Sequence, residues 1–490
     1  MAEKRRTPLM GWASWNCFRT DINEEKIKAQ ADALVATGLA ECGYTYLNID
    51  DGYFGGRNED GELLFHKERF PNGMKVLADY AHSLGLKAGI YSDAGDNTCG
   101  YYYDGETKAG FNVGLYGHEE QDLRKLLVEN DFDFIKVDWC GGLRLNLDEE
   151  EQYTKIGKLI DKISEEVGKS IVYNICRWQF PGEWATTVAD SWRTGLDIFP
   201  SFESVMYQLD EIKPLAKFCR PGHVNDLDMM QIGNGLSLEE EKTHFAMWCM
   251  LSTPLMIGCD MRQISPETLE VLKNKELIAI NQDKACLQAV VVKEYRDEED
   301  TLRGEVWVKD LGEKSSCQKA VALLNRSNSP LEMAVSLEEM GLSGKLISIR
   351  DVCSYEDLAP TGKIMATVPA RGVVVYRVCG ENGCAVVDIN AGLTYDERGF
   401  EQITEEAARE IMKKGGMLVD VRTAAEFERE HLDGAVNISY ADIYTDAHRL
   451  LPDKEQVLIV YCATGKRSGQ AKMRLDSVGY KEVYYLGGIY

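Results

Sequence analysis

Asp138 stands two residues after Lys136 in the segment DFDFIKVDWC (131–140). In an extended strand successive side chains alternate faces, so Phe134, Lys136 and Asp138 share one face while Ile135 and Val137 take the other. A lysine on the same face as a carboxylate favours its ionised form and lowers its pKa. An ionised, oriented carboxylate suits nucleophilic chemistry. The same pair would also serve as a structural ion pair at a strand end, and this segment by itself does not decide between the two.

Further charged groups follow other apolar runs. Asp50 and Asp51 come after YLNI, Tyr91 and Asp93 end KAGIYSD, and Arg177 and Trp178 follow IVYNIC. Arg193 and Asp197 follow DSW, and Asp226 and Asp228 close the run at 224–228. Any one of these is explained by a helix cap or a turn. Their recurrence at the carboxyl end of nearly every run fits loops that build a site on a barrel.

A separate constellation lies near the carboxyl terminus, where VLIVYC runs into ATGKRSGQAKMRL. A strand ending in Cys462, a tight loop and then a helix is an anion-cradling arrangement. The loop Ala463, Thr464, Gly465, Lys466 and Arg467 and the helix dipole would stabilise a thiolate or persulfide on Cys462. Arg467 adds positive charge. A buried structural cysteine is the alternative, and the Cys-Ala-Thr-Gly-Lys-Arg-Ser loop favours the reactive reading.

The elements that must position these groups follow from periodicity. Candidate strands are Leu9–Trp12, Tyr44–Asp50, Lys87–Ser92, Phe134–Asp138, Ile171–Asn174, Asp190–Arg193, Val224–Leu227 and Pro254–Ile257. Amphipathic stretches such as EEKIKAQADALVATG and EEQDLRKLLVEN lie between them, several closing at a glycine: Gly38, Gly85, Gly168. This predicts a (β/α)8 TIM barrel over residues 1–284. From 285 to 380 the period becomes that of alternating strands without helices, an antiparallel β-sandwich. Residues 381–395 read as a linker, and 396–490 as a small α/β domain.

The 490 residues, 44% of them hydrophobic, accommodate several cores. No apolar run reaches the roughly 18 residues of a membrane span. The net charge of −25 and the lack of a basic face exclude a sequence-independent nucleic-acid role. The amino terminus, MAEKRRTPLMGWASWN, makes a poor signal peptide. The fourteen cysteines are scattered, which reads as mostly reduced core thiols in a cytoplasmic protein. No metal-ligand spacing stands out among the seven histidines and no dinucleotide fingerprint occurs, so no cofactor is implied. Nothing sets the oligomeric state, and a homo-oligomer is allowed.

Residues 8–281 resemble the family 27 glycoside hydrolases, which include α-galactosidases and α-N-acetylgalactosaminidases. The resemblance rests on PLMGWASWNCF, YLNIDDGY, RFPNGMKVLADYAHSLGLKAGIYSDAG, FIKVDWC, DSWRTGLDI, NDLDMMQIGNG and LSTPLMIGCDMR. It implies a retaining mechanism with Asp138 as nucleophile and Asp197 as acid/base, about 5–5.5 Å apart. It further implies that Asp50 and Asp51 take the 4- and 6-hydroxyls and that Trp15 lies against the sugar face. Tyr91, Lys136, Arg193, Asp228 and Met229 fall on pocket positions, and Cys99 and Cys140 on a pair that is bridged in secreted relatives. One departure stands out: Arg177 occupies the position where α-galactosidases of this family carry a Glu beside the 2-substituent, and an arginine offers no acceptor. The bulk of Arg177 and Trp178–Phe180 leaves little room for an N-acetyl group, which favours galactose. The implied partner is a small galactoside, with an N-acetylgalactosaminide or a β-L-arabinopyranoside as alternatives.

Residues from about 400 to 490 resemble a single-domain rhodanese, through LVDVRTAAEFEREHLDGAVNI, VLIVYCATGKRS and VYYLGGIY. The resemblance makes Cys462 the persulfide-forming residue and implies a thiosulfate sulfurtransferase, with Asp420, Arg422 and Glu426 as framework.

Overall fold

The computed structural model describes residues 7–384, 386, 403–463 and 465–488. The chain forms two compact units, Met1–Ala391 and Gly392–Tyr490.

The first unit begins with eight parallel strands: β1 (Met10–Ala13), β2 (Tyr46–Ile49), β3 (Lys87–Asp93), β4 (Phe134–Asp138), β5 (Val172–Ile175), β6 (Ser191–Arg193), β7 (Val224–Asp226) and β8 (Leu255–Ile257). They pair in chain order, and β8 returns to β1 with Met10 opposite Leu255. Met230, just past β7, bridges Ile257 and closes the ring. Every residue of β1, β2, β5, β6 and β8 is buried, which is why these runs read as continuous apolar stretches. All eight expected strands are present, differing from expectation by one or two residues at their ends.

The intervening helices follow the same logic. The helix Glu149–Val167 opens with the Asp148 side chain accepting from the Glu151 amide and has Glu149, Glu150 and Glu151 in its first turn. It buries Tyr153, Ile156, Ile160 and Ile163 at helical spacing and stops at Gly168, in left-handed backbone at φ 65°. Register then decides which strand-end groups meet. Tyr91 lies opposite Lys136, and Lys136 opposite Asn174; one step further out Asp93 lies opposite Asp138.

The sandwich has a six-stranded antiparallel sheet ordered Val290–Arg296, Leu302–Asp310, Gln318–Asn325, Val373–Gly383, Leu342–Asp351, Glu356–Leu358. A second sheet pairs Leu331–Ser336 with Lys363–Val368. Val306, Val321, Leu323, Met333, Val335 and Val378 belong to one core. The strand Val373–Gly383 runs past the expected start of the linker at 381, because Asn382 and Gly383 still pair with Ser343 and Leu342. Of the expected linker, residue 385 and residues 387–395 lie outside the described residues.

The second unit has a four-stranded parallel sheet ordered Ala435–Asn437, Met417–Asp420, Leu458–Cys462, Val483–Gly488. Its core includes Ala408, Leu418, Ile459, Tyr461 and Leu486. Among the described residues, no helix is long and apolar enough to cross a membrane.

Candidate active site

A cavity on the barrel axis is lined by Asp50, Tyr91, Lys136, Arg193, Asp228 and Met229, each expected from sequence to face a substrate. Lys136 is its centre. Its Nζ lies 2.9 Å from Asp50 Oδ2 and 3.5 Å from Asp138 Oδ1, and it sits over the Tyr91 ring at 5.3 Å from the centroid. Burial opposes its charge, but Asp138 and Asp50 together outweigh burial and raise its pKa.

Asp138 departs from expectation in its net balance. Burial pushes its pKa up to about 7; Lys136 pulls it down as expected, but Asp50 and Asp197 push it further up. A lysine shared between two carboxylates compensates only part of the cost of removing Asp138 from water. Asp138 Oδ1 is buried with no hydrogen-bond partner, and Cys99 Sγ lies 3.2 Å from Oδ2. Cys176 lies close enough to favour the ionised carboxylate as well.

Cys99 and Cys140 are joined in a disulfide, with their Cα atoms 5.4 Å apart; the other twelve cysteines are free. Asp93 secures this corner, accepting from the amides of Gly95, Cys140 and Gly141 at 2.7, 2.7 and 3.0 Å. Gly95 permits the approach, since a Cβ there would fall 2.0 Å from the Gly141 carbonyl carbon.

Arg193 anchors the opposite wall. Its Nη2 donates to Asp197 Oδ1 at 3.2 Å and lies 2.9 Å from Asp228 Oδ2. Asp228 also accepts from the Ile198 and Met229 amides, at 3.0 and 2.7 Å, in a backbone with φ 83°. Burial raises its pKa to about 6 against the pull of Arg193. Positive φ at a non-glycine residue is strain held in place by these contacts. The Asp197 side chain is 40% exposed where that of Asp138 is 7%, so the two acids face different environments.

Asp51 sits behind Asp50. Its two oxygens accept from Gly52 and Gly100, each at 2.7 Å, and burial raises its pKa to about 7. Trp15 packs against the apolar cluster that contains Met229 and Met256. Arg177 is turned to a partner from the preceding helix: its Nε donates to Glu149 Oε2 at 2.8 Å. The other oxygen of Glu149 is buried with no hydrogen-bond partner. Asp93 was expected only as one of the strand-end charges, and Cys176 and Glu149 were not among the expected site residues. Asp93 has a sequence signal, since it ends β3 as Asp138 ends β4, whereas Glu149 reads only as a helix first-turn acid.

In the second unit Cys462 is fully buried, and its sulfur accepts from the Gly465 amide at 3.2 Å and from the Ser468 hydroxyl at 3.4 Å. Gly465 adopts φ 91° at the start of the helix Lys466–Ser477, and Ala463 links it back toward the strand. Thr464 lies outside the described residues, as does the Lys466 side chain. Arg467 differs from expectation: both its terminal nitrogens pair with Glu426, at 2.8 and 2.7 Å. That pairing holds the Glu426 pKa down at about 2, while the charge of Arg467 still acts on Cys462. Asp420 and Arg422 form a buried pair at 2.7 Å, the framework role expected of them.

The first unit is an eight-stranded parallel barrel with acids gathered at its strand ends, followed by an antiparallel sandwich, and its family match makes it a glycoside hydrolase. The chain belongs to the alpha galactosidase A family, whose model matches residues 7–283; the model of the alpha galactosidase C-terminal beta sandwich domain matches 303–378. The rhodanese-like domain model matches residues 404–490. The chain is 37% identical to alpha-galactosidase A of Cellvibrio japonicus, over 76% of this chain and 92% of that protein. It is 39% identical to alpha-galactosidase 2 of Arabidopsis thaliana, over 76% and 89%. Among solved structures it is similar to alpha-galactosidase I from Mortierella vinacea, with a TM-score of 0.68, 28% identity, and coverage of 77% of this chain and 98% of that one.

Proposed function

We propose that the chain is a cytoplasmic, retaining exo-α-galactosidase that removes terminal galactose from small galactosides of the melibiose or raffinose kind. The observation that carries this reading is Lys136 bridging Asp50 and Asp138 at the carboxyl ends of β2 and β4. In the first step Asp138 attacks the anomeric carbon while Asp197 gives its proton to the departing oxygen, leaving galactose esterified to Asp138. In the second, Asp197 takes a proton from water, the water oxygen attacks the same carbon, and Asp138 leaves as a carboxylate. Lys136 favours the ionised form of a deeply buried Asp138 against the burial that raises its pKa, and Asp197, at the more exposed side, is reached by water. Asp50, with Asp51 behind it, takes the 4- and 6-hydroxyls, and Trp15 lies against the apolar sugar face.

Arg177, held by Glu149 and followed by the buried Trp178, fills the region of the 2-substituent, which favours a 2-hydroxyl over an N-acetyl group. A panel of aryl glycosides on purified protein tests the choice. Turnover of the α-D-galactoside above the α-N-acetylgalactosaminide and the β-L-arabinopyranoside is expected. The first-formed sugar, followed by NMR, should be the α-anomer, and release of the β-anomer would overturn the retaining mechanism.

A second activity has its own observation, the two donors on the Cys462 sulfur. In it the Cys462 thiolate takes the outer sulfur of thiosulfate, releasing sulfite, and passes it to cyanide as thiocyanate. Thiocyanate formation by the wild type and not by Cys462→Ala is expected. Equal rates would remove this activity.

A further inference from the structure

Arg19 was not among the residues expected to matter, yet three observations bring it to the mouth of the barrel. Its guanidinium carbon lies 4.4 Å over the ring of Trp15. Its neighbour Thr20 packs so closely on Gly52, next to Asp51, that a Cβ on Gly52 would fall 2.6 Å from the Thr20 carbonyl oxygen. Its Nε and Nη2 pair with Asp104 Oδ1 and Oδ2 at 2.6 and 2.8 Å. Asp104 closes the short helix Cys99–Tyr103, whose first residues touch Asp138 through Cys99 and Asp51 through Gly100. The ion pair therefore ties the loop after β1 to the loop after β3 beside the site.

Two further features argue that the pair does more than hold loops together. Arg19 adopts φ 48° and ψ −128°, a region that a non-glycine residue enters only when its surroundings hold it there. Exposure also rises outward, from 7% for the Asp138 side chain to 40% for Asp197 and 52% for Arg19. The charge of Arg19 acts on both Asp197 and Asp50. A sugar whose anomeric carbon faces Asp138 has its leaving oxygen at Asp197, so the leaving group extends along this gradient.

We propose that Arg19 and Asp104 form the leaving-group subsite, and that the subsite is built for a saccharide. A guanidinium has five N–H donors, and pairing through Nε and Nη2 leaves the two on Nη1 and a second on Nη2. The Asp104 carboxylate keeps acceptor capacity beside them. Donors and acceptors side by side at a wet, partly aromatic surface match the hydroxyls of a second sugar ring better than an aryl leaving group, which offers no hydroxyl donor around its ring. The inference rests on the galactosidase reading above.

The test compares kcat/KM for raffinose with kcat/KM for p-nitrophenyl α-D-galactoside in the wild type, Arg19→Ala, Arg19→Lys and Asp104→Asn. The raffinose-to-aryl ratio should fall about tenfold in Arg19→Ala, and by less in Arg19→Lys, which keeps the charge without the fork. Asp104→Asn removes the charge opposite Arg19 without shortening the side chain and should lower the same ratio, mainly through a higher KM for raffinose. Turnover of the aryl substrate with an unchanged ratio in both Arg19→Ala and Asp104→Asn overturns the subsite alone. A wild type inactive on the aryl galactoside overturns the galactosidase reading, and the subsite with it.

Discussion

Two charge clusters of the first unit, each partly buried, are balanced differently. On the barrel axis two cations, Lys136 and Arg193, serve Asp50, Asp138, Asp197 and Asp228. Where barrel meets sandwich, Lys213 and Arg326 serve Asp210 and Glu305, cation for carboxylate, with Arg326 bidentate to Asp210 at 2.7 Å on both arms. The pKa responses diverge accordingly. Asp138 and Asp228 are raised, whereas Asp210 is held below its ordinary value because Arg326 and Lys213 outweigh its desolvation. A cluster short of cations keeps carboxylates poised to change protonation, and a matched cluster keeps them as fixed ions. The first arrangement serves chemistry at a cost in stability; the second serves docking.

The comparison can be broken most sharply at Asp138. Asp138→Asn should lower kcat on an aryl α-galactoside by about 10³-fold or more. The same change should raise the melting temperature at pH 8. The folded-state pKa lies above the unfolded value of about 3.9, so ionised Asp138 destabilises the fold at high pH, and that cost disappears below about pH 4. A calorimetric scan at pH 8 and pH 4 should show a gain at the first and little change at the second. A lower melting temperature at pH 8 would mean that the charge is compensated after all.

Next in size is Lys136→Met, which removes the principal cation beside Asp138. Because Lys136 lowers the Asp138 pKa, its loss should move the acid limb of the pH–kcat/KM profile upward from about 7 and lower the plateau by about 10²-fold. An acid limb that stays in place would sever the link between the two residues.

At the matched cluster the expectation reverses. Arg326→Ala leaves the fully buried Glu305 with Lys213 as its remaining cation and should destabilise the unit by about 3 kcal/mol in chemical denaturation. Its kcat/KM in the folded protein should match the wild type, and a marked loss would show that the junction communicates with the site. The smallest effect is expected at Glu149→Gln, which weakens the hold on Arg177. A KM rise of about three- to tenfold with kcat within about twofold would mark a role in sugar binding. Unchanged KM would leave the pair a purely structural clamp.

Much of the fold and part of the site were legible in the residues themselves. The alternation that put Lys136 and Asp138 on one face, and the unbroken apolar strands flanked by amphipathic helices, are short-range regularities set by backbone geometry. They located all eight barrel strands, and with them the strand ends that carry Asp50, Tyr91, Asp138 and Arg193. What the local pattern could not supply is the partner of each charge. Lys136 was read with its neighbour Asp138 but lies closer to Asp50, 86 residues away. Arg177 meets Glu149 at the start of the preceding helix, Arg467 pairs with Glu426 from another helix, and Arg19 finds Asp104 across the mouth. The net pKa of Asp138 also turned on burial, which no pair of neighbouring residues records. Residue type and spacing therefore determined the elements, their faces and the class of chemistry. The tertiary structure alone decided which charges are matched and which are left wanting, because Coulomb and desolvation energies depend on distance and exposure in space and not on separation along the chain.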